Sequence, residues 1–213
     1  MADSKISALS AVSGPLAAQE FPVNDAGTSK KITLAQLASY PGNGGRFNAS
    51  VSGQGPGFAS DTYLVGSSIN IVDGSLQAKS MYRCKFNVVK TNAGTATPVI
   101  NVRIGTAGTT SDTSRGTLTF SAQTAVIDEG VFEIFSTFRT VGGGTAAVLQ
   151  SLGRLAHRLS ITGLGVGVSE PEIATSGGFD STVSNLIIGL SVNGGASAAW
   201  TVSLVQAELF NLV

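Results

Sequence analysis

The chain has 213 residues, with 13 Lys and Arg against 13 Asp and Glu, so its formal net charge is zero and only 12% of it is charged. Ordinary soluble domains carry roughly 25% charged residues, and a neutral surface rich in Ser, Thr, Asn and Gly raises no field that would gather phosphates, which excludes nucleic acid and anionic membrane as partners. The length suits one substantial core plus an arm, and the lone Cys84 excludes an intrachain disulfide or a cysteine zinc site.

Residues 1–42 read as an N-terminal attachment arm. Ile6, Leu9, Leu16, Phe21 and Val23 are dotted singly through polar sequence. Such a segment makes no core of its own, so it either lies along another protein's surface or folds back onto its own chain. The stretch "KKITLAQLASY" predicts one short helix, with Thr33 as N-cap, Gln36 completing a capping box, and Ile32 and Leu37 closing a hydrophobic staple before Pro41 stops it. A helix of about seven residues is well below the roughly 12 to 15 at which isolated helices become marginal, so Leu34, Leu37 and Ala38 must dock on something. The N-terminal residues lack the continuous apolar run of a secretory signal, and no segment approaches the roughly 18 apolar residues of a spanning helix, so nothing is expected to carry the chain out of the cytoplasm that makes it.

Residues 43–60, "NGGRFNASVSGQGPGFAS", read as a Gly/Ser-rich linker. From Tyr82 onward apolar residues recur at every second position, the period of a half-buried strand. The rows are Tyr82, Cys84, Phe86, Val88; Ile100, Val102, Ile104; Leu118, Phe120; Phe132, Ile134, Phe138; Leu155, His157, Leu159, Ile161; Leu186, Ile188, Leu190, Val192; and Trp200, Val202, Leu204. Turn chemistry such as "TNAGTAT", "DEG" and "NGGASA" separates them. The expectation is an all-β, antiparallel, jelly-roll-like sandwich over residues 61–213, preceded by the extended arm. Ile187 and Gly189 oppose the row from Leu186, and Val205, Ala207 and Leu209 fall on the face of Thr201 and Ser203. Those strands then look apolar on both sides, which points to a neighbouring subunit covering Ile187, Val205 and Leu209.

No catalytic constellation is evident. His157 is the single histidine and alternates with Leu155 and Leu159, so it reads as a packed or interface residue, one that could line a three-fold axis. Asp128-Glu129 before Gly130, and Glu170 and Glu172 around Pro171, read as solvated turns and loops rather than a facing acid pair. The glycine runs "GLGVGVSE" and "VGGGTAAVLQ" neither end in Gly-Lys-Ser/Thr nor open a helix after a strand. The expectation is a protein that is not an enzyme and uses no cofactor or metal.

Three short motifs carry a resemblance: Lys5-Ile6-Ser7 with Leu9, then Glu20-Phe21-Pro22-Val23, then Ser29-Lys30-Lys31-Ile32-Thr33-Leu34 with Leu37. Together they resemble the amino-terminal motif of tailed-bacteriophage virion proteins, in which a short attachment module precedes a trimeric β-rich part. The resemblance covers about 40 residues, and the chain lacks the long repetitive shaft of fibre proteins. It implies a capsid decoration, or cement, protein located in the virion. It would attach to the major capsid protein, or to another virion protein, as a homotrimer. The attachment residues would be Ile6, Leu9, Phe21, Val23, Ile32, Leu34 and Leu37. A short tail or head fibre, or a tail adaptor, is the alternative, with loops such as Gly105 to Gly116 meeting a host-surface receptor and Phe179 beside Asp180 as the nearest thing to an aromatic platform.

Overall fold

A computed structural model describes residues 20–25, 27–33, 45–166, 169–196 and 199–210. The chain divides into two units with the boundary between Pro41 and Gly42. In the first unit, β1 (Glu20–Asp25) and β2 (Thr28–Thr33) pair antiparallel as a hairpin, with Phe21 opposite Ile32 and Val23 opposite Lys30. Gly27 takes φ +82° in the connection, a conformation in which a side chain would be strained. Part of the expected extended arm is therefore a hairpin that ends on Thr33. The helix predicted after Thr33 lies outside the described residues.

The second unit contains β3 (Arg46–Ser50), β4 (Gln54–Gly57), β5 (Thr62–Tyr63), β6 (Ile69–Asn70), β7 (Met81–Lys90), β8 (Val99–Gly105), β9 (Thr113–Thr119), β10 (Asp128–Thr140), β11 (Val148–His157), β12 (Ser169–Thr175), β13 (Ile187–Asn193), β14 (Trp200–Val202) and β15 (Val205–Phe210). They form two antiparallel sheets. In the larger, β12, β11, β10 and β7 run side by side, and β7 then pairs with β14 and β15, which in turn pair with β4 and β3. In the smaller, the order is β5 and β6, then β13, β8 and β9. Residues 46–50 and 54–57 are thus strands of the larger sheet, so this part of the segment read as a linker belongs to the sandwich. Its Gly and Ser content hid the pairing, because an edge strand needs little apolar sequence.

The alternating rows do what their period dictates. Tyr82, Cys84, Phe86 and Val88 from β7, and Phe132, Ile134 and Phe138 from β10, are buried in one core with Ile100, Val102, Leu118, Ile188, Leu190 and Val192 from the smaller sheet. Phe132 is the centre of an aromatic cluster. Its ring stacks on Phe86 at 5.2 Å, meets Phe120 edge-on at 5.0 Å, and lies 5.7 Å from Trp200. The indole N–H of Trp200 donates to Oε1 of buried Gln123 at 2.9 Å, and the amide nitrogen of Gln123 donates to the carbonyls of Ala96 and Gly194. Burying the largest side chain of the core therefore leaves no donor unpaired.

Where the last strand breaks, Asn87 of β7 takes over the pairing. Its Oδ1 accepts from the backbone N–H of Ser203 at 3.0 Å and of Leu204 at 2.8 Å, and its Nδ2 donates to Oγ of Ser203. The break resets the alternation. Trp200 and Val202 point inward, Leu204 is exposed, and Val205, Ala207 and Leu209 point inward again. The expected phase of this strand was therefore wrong beyond Val202. Val205 and Leu209 are core residues of the single chain, and Leu204 is not.

Candidate functional site

The structure brings two of the three N-terminal motifs together. Glu20-Phe21-Pro22-Val23 lies in β1 and Ser29-Lys30-Lys31-Ile32-Thr33 in β2, on facing strands. By register, Phe21, Val23 and Asp25 of β1 stand opposite Ile32, Lys30 and Thr28 of β2, so the three apolar residues share their row with Asp25, Thr28 and Lys30. The other face holds Glu20, Pro22, Asn24, Ser29, Lys31 and Thr33, with an ion pair from Nζ of Lys31 to Glu20 at 2.8 Å. A lone two-stranded hairpin is marginal in water. Of the remaining expected attachment residues, Ile6, Leu9, Leu34 and Leu37 lie outside the described residues.

Of the four residues expected at a subunit interface, His157, Val205 and Leu209 are buried within one chain. Val205 and Leu209 have no exposed surface. Ile187 is half-buried beside Gly108 of the loop that follows β8. Its strand neighbour Gly189 lies under the ring of Tyr63, where a side chain would collide with the phenol. The second covered side of β13 is thus supplied by this chain's own Tyr63 and loop.

His157 is buried, and its Nδ1 lies 2.6 Å from Oδ2 of Asp128 with both side chains shielded from solvent. The carboxylate of Asp128 also accepts from the backbone N–H groups of Glu129 at 2.8 Å, Leu164 at 3.1 Å and Leu159 at 3.3 Å. Gly163, at φ +95°, sits where a Cβ would strike this carboxylate. Lys90 stands opposite Asp128 in the β7–β10 ladder and is itself buried. Its ammonium donates to the carbonyls of Asn92 at 2.6 Å, Thr124 at 2.9 Å and Val126 at 2.9 Å. Burial lowers its pKa below the usual lysine value, and the negative charge of Asp128 works in the opposite direction. The three side chains tie two loops, 124–128 and 158–164, to one end of the larger sheet.

This centre overturns the reading of Asp128 as a solvated turn. Asp128 begins β10 and faces inward, whereas Glu129 faces out and forms an exposed ion pair with Arg158 at 3.1 Å. The signal was present in the alternation, since Lys90 continues the inward row of Val88 and Asp128 that of Gly130. Glu170 and Glu172 likewise lie in a strand, β12, rather than a loop. Among the described residues, no group of three or more His, Cys, Asp or Glu is placed to hold a metal ion.

The loop suggested for receptor contact is held closed. The Asp112 carboxylate accepts from the backbone N–H groups of Ala107 at 3.0 Å and Gly108 at 2.7 Å. Phe179 is only 2% exposed, with the guanidinium of Arg115 over its ring at 4.8 Å, so it offers no aromatic platform.

No protein-family model matches the chain, and no curated protein matches it. Among solved structures, the CBM2 module of the evolved Dit of Lactobacillus casei BL23 phage J-1 is similar over 68% of this chain and 69% of that one, at 14% identity and a TM-score of 0.28. Infectious bursal disease virus, Gx strain, is similar over 93% of this chain and 47% of that one, at 12% identity and a TM-score of 0.24. Likenesses at these TM-scores carry no argument about what the chain does.

Proposed function

We propose that this chain is a non-enzymatic structural protein of a tailed-phage virion, a capsid decoration protein held to the shell by its N-terminal unit. The observation that supports this reading is the hairpin. Motif pieces separated in sequence become facing strands, and the three apolar attachment residues they contain, Phe21, Val23 and Ile32, share one register row with Asp25, Thr28 and Lys30. A lone two-stranded hairpin is marginal by itself and gains stability by docking on another surface, and the resemblance names the major capsid protein, or a neighbouring virion protein, as that surface. Three copies joined through their sandwiches would turn three weak attachments into one avid attachment without any new contact. The Lys90–Asp128–His157 centre fits the same reading, since its polar groups bond to backbone and to each other and so fasten loops. No cofactor takes part, and the protein is placed in the virion. The alternative, a short tail or head fibre or a tail adaptor with a receptor-binding sandwich, is weakened by the burial of Phe179.

Quantitative mass spectrometry of purified particles tests the proposal. Decoration predicts a copy number that scales with the number of capsid subunits. A copy number matching the tail instead, or absence from washed particles, would overturn it.

A further inference from the structure

The carboxylate of Asp128 accepts four hydrogen bonds, two on each oxygen. Oδ1 takes the backbone N–H groups of Glu129 at 2.8 Å and Leu159 at 3.3 Å. Oδ2 takes that of Leu164 at 3.1 Å and lies 2.6 Å from Nδ1 of His157. An ionised carboxylate offers about four acceptor sites, and a protonated one gives part of that capacity up to its own O–H. This arrangement therefore has room only for the anion, with the shared proton on Nδ1 of His157. Lys90 is fixed in the same way, since the three N–H bonds of an ammonium meet three carbonyls, those of Asn92, Thr124 and Val126.

Two of the four donors to Asp128, the N–H groups of Leu159 and Leu164, belong to the loop 158–164. The close approach of this loop depends on two glycines. A Cβ on Gly163 would strike the Asp128 carboxylate, and one on Gly130 would meet the side chains of His157 and Leu164. In the space they leave, Leu164 is fully buried. The charged groups around the carboxylate are His157 from β11, Lys90 from β7 and, facing outward, the pair of Glu129 with Arg158 at 3.1 Å. The segment 121–127, which the N–H of Thr124 ties to the carbonyl of Gly163 at 2.9 Å, contains no charged residue.

We propose that Asp128 is an acid-sensitive latch: the loop 158–164 is closed on the larger sheet while the carboxylate is ionised, and opens when the carboxylate takes up a proton. A proton on either oxygen removes an acceptor site, so at least one donor has to leave. Glu129 is the next residue of β10 and His157 is held in the β11 ladder, whereas Leu159 and Leu164 can move away with their loop. His157 donates from Nδ1 whether its ring is neutral or an imidazolium, so its own protonation leaves the count of donors unchanged. Opening draws Leu164 out of the core and adds its side chain to those of exposed Val126 and Ile127, an apolar surface that the closed latch keeps hidden.

Hydrogen exchange of the full chain, corrected at each pH for the intrinsic rate, tests this. Between neutral pH and about pH 4, close to the ordinary aspartate value of about 3.9, the amides of Leu159 and Leu164 are expected to lose at least tenfold in protection. Those of Phe132 and Ile134, inside the β10 ladders, are expected to keep theirs. Asp128→Asn places an amide N–H₂ where two donors converge, so its loop is expected to be open at neutral pH already; the wild-type titration decides the matter if that variant does not fold. His157→Asn, which keeps a donor near the position of Nδ1, is expected to open over the same range as wild type. Unchanged protection of Leu159 and Leu164 in acid, or its loss only together with that of Phe132 and Ile134, would overturn the latch. An acid transition that vanishes in His157→Asn would overturn the assignment to Asp128 and place the sensor on the histidine.

Discussion

The Lys90–Asp128–His157 centre shows how much rests on single polar residues in an apolar core. Breaking a buried charged pair by removing one partner costs about 3–5 kcal/mol, because the groups that faced it are left in a medium that solvates them poorly. Asp128→Asn keeps the volume but loses charge and acceptor capacity toward His157 and the N–H of Leu164, so urea unfolding should show a loss of that size. Glu129→Gln, one residue away in an exposed pair, should change stability by less than about 1 kcal/mol. Equal effects would contradict the assignment of inside and outside at this end of β10. A second consequence is pH dependence. Burial pushes the Cys84 thiol from 9.0 up to about 12 and, helped by the charge of Asp112, the Tyr63 phenol from 10.0 to about 12, while burial also raises Tyr82 well above its usual value. Groups raised on folding contribute stability that is complete below their unfolded pKa and is lost as pH climbs toward the folded one. Stability should therefore fall from about pH 9 upward. Lys90, lowered on folding, works in the other sense as pH approaches 10.5. In Cys84→Ala the decline should begin nearer pH 10, where the tyrosines start to titrate; an unchanged onset would contradict the burial of the thiol.

At the scale of elements, the period-two rows located β7, β8, β10, β11 and β13 and most of the core, because alternation survives wherever one face is buried and pairing is regular. Three features escaped it, each for a local reason. The hairpin β1–β2 was concealed by a capping pattern at Thr33 that competes for the same residues, and its connection has only Gly27 among the described residues to mark it. Strands β3 and β4 are Gly- and Ser-rich. The phase of β15 was lost because Asn87 intrudes at Ser203 and Leu204, a long-range contact with no trace in the local pattern. That contact makes its own prediction. Asn87→Ala removes three hydrogen bonds in a half-exposed setting and should lower stability by about 1 kcal/mol. It should also make the Ser203 and Leu204 amides exchange faster with solvent while Ala207 and Trp200 stay protected. Unaltered exchange at Leu204 would show that the break is held by something else.

Across the whole molecule, the sequence reading ends the arm at residue 42 and starts the sandwich at 61 after a linker, whereas the structure divides the chain between Pro41 and Gly42 and pairs residues 46–50 and 54–57 into the larger sheet. The roles of individual residues were less legible. Of the expected interface set, His157, Val205 and Leu209 are buried within the single chain while Ile187 is half-buried, since a burial pattern does not say whether the cover comes from the same chain or another. Of the attachment set, the register of β1 and β2 places Phe21, Val23 and Ile32 in one row, together with Asp25, Thr28 and Lys30. The account as a whole depends on that hairpin. The direct measurement is co-sedimentation of the full-length protein with particles that lack it, comparing wild type with Phe21→Asp, Val23→Asp and Ile32→Asp combined. We expect binding to fall at least tenfold while the melting transition of the sandwich stays unchanged. Undiminished binding by a correctly folded triple variant would contradict attachment through the hairpin.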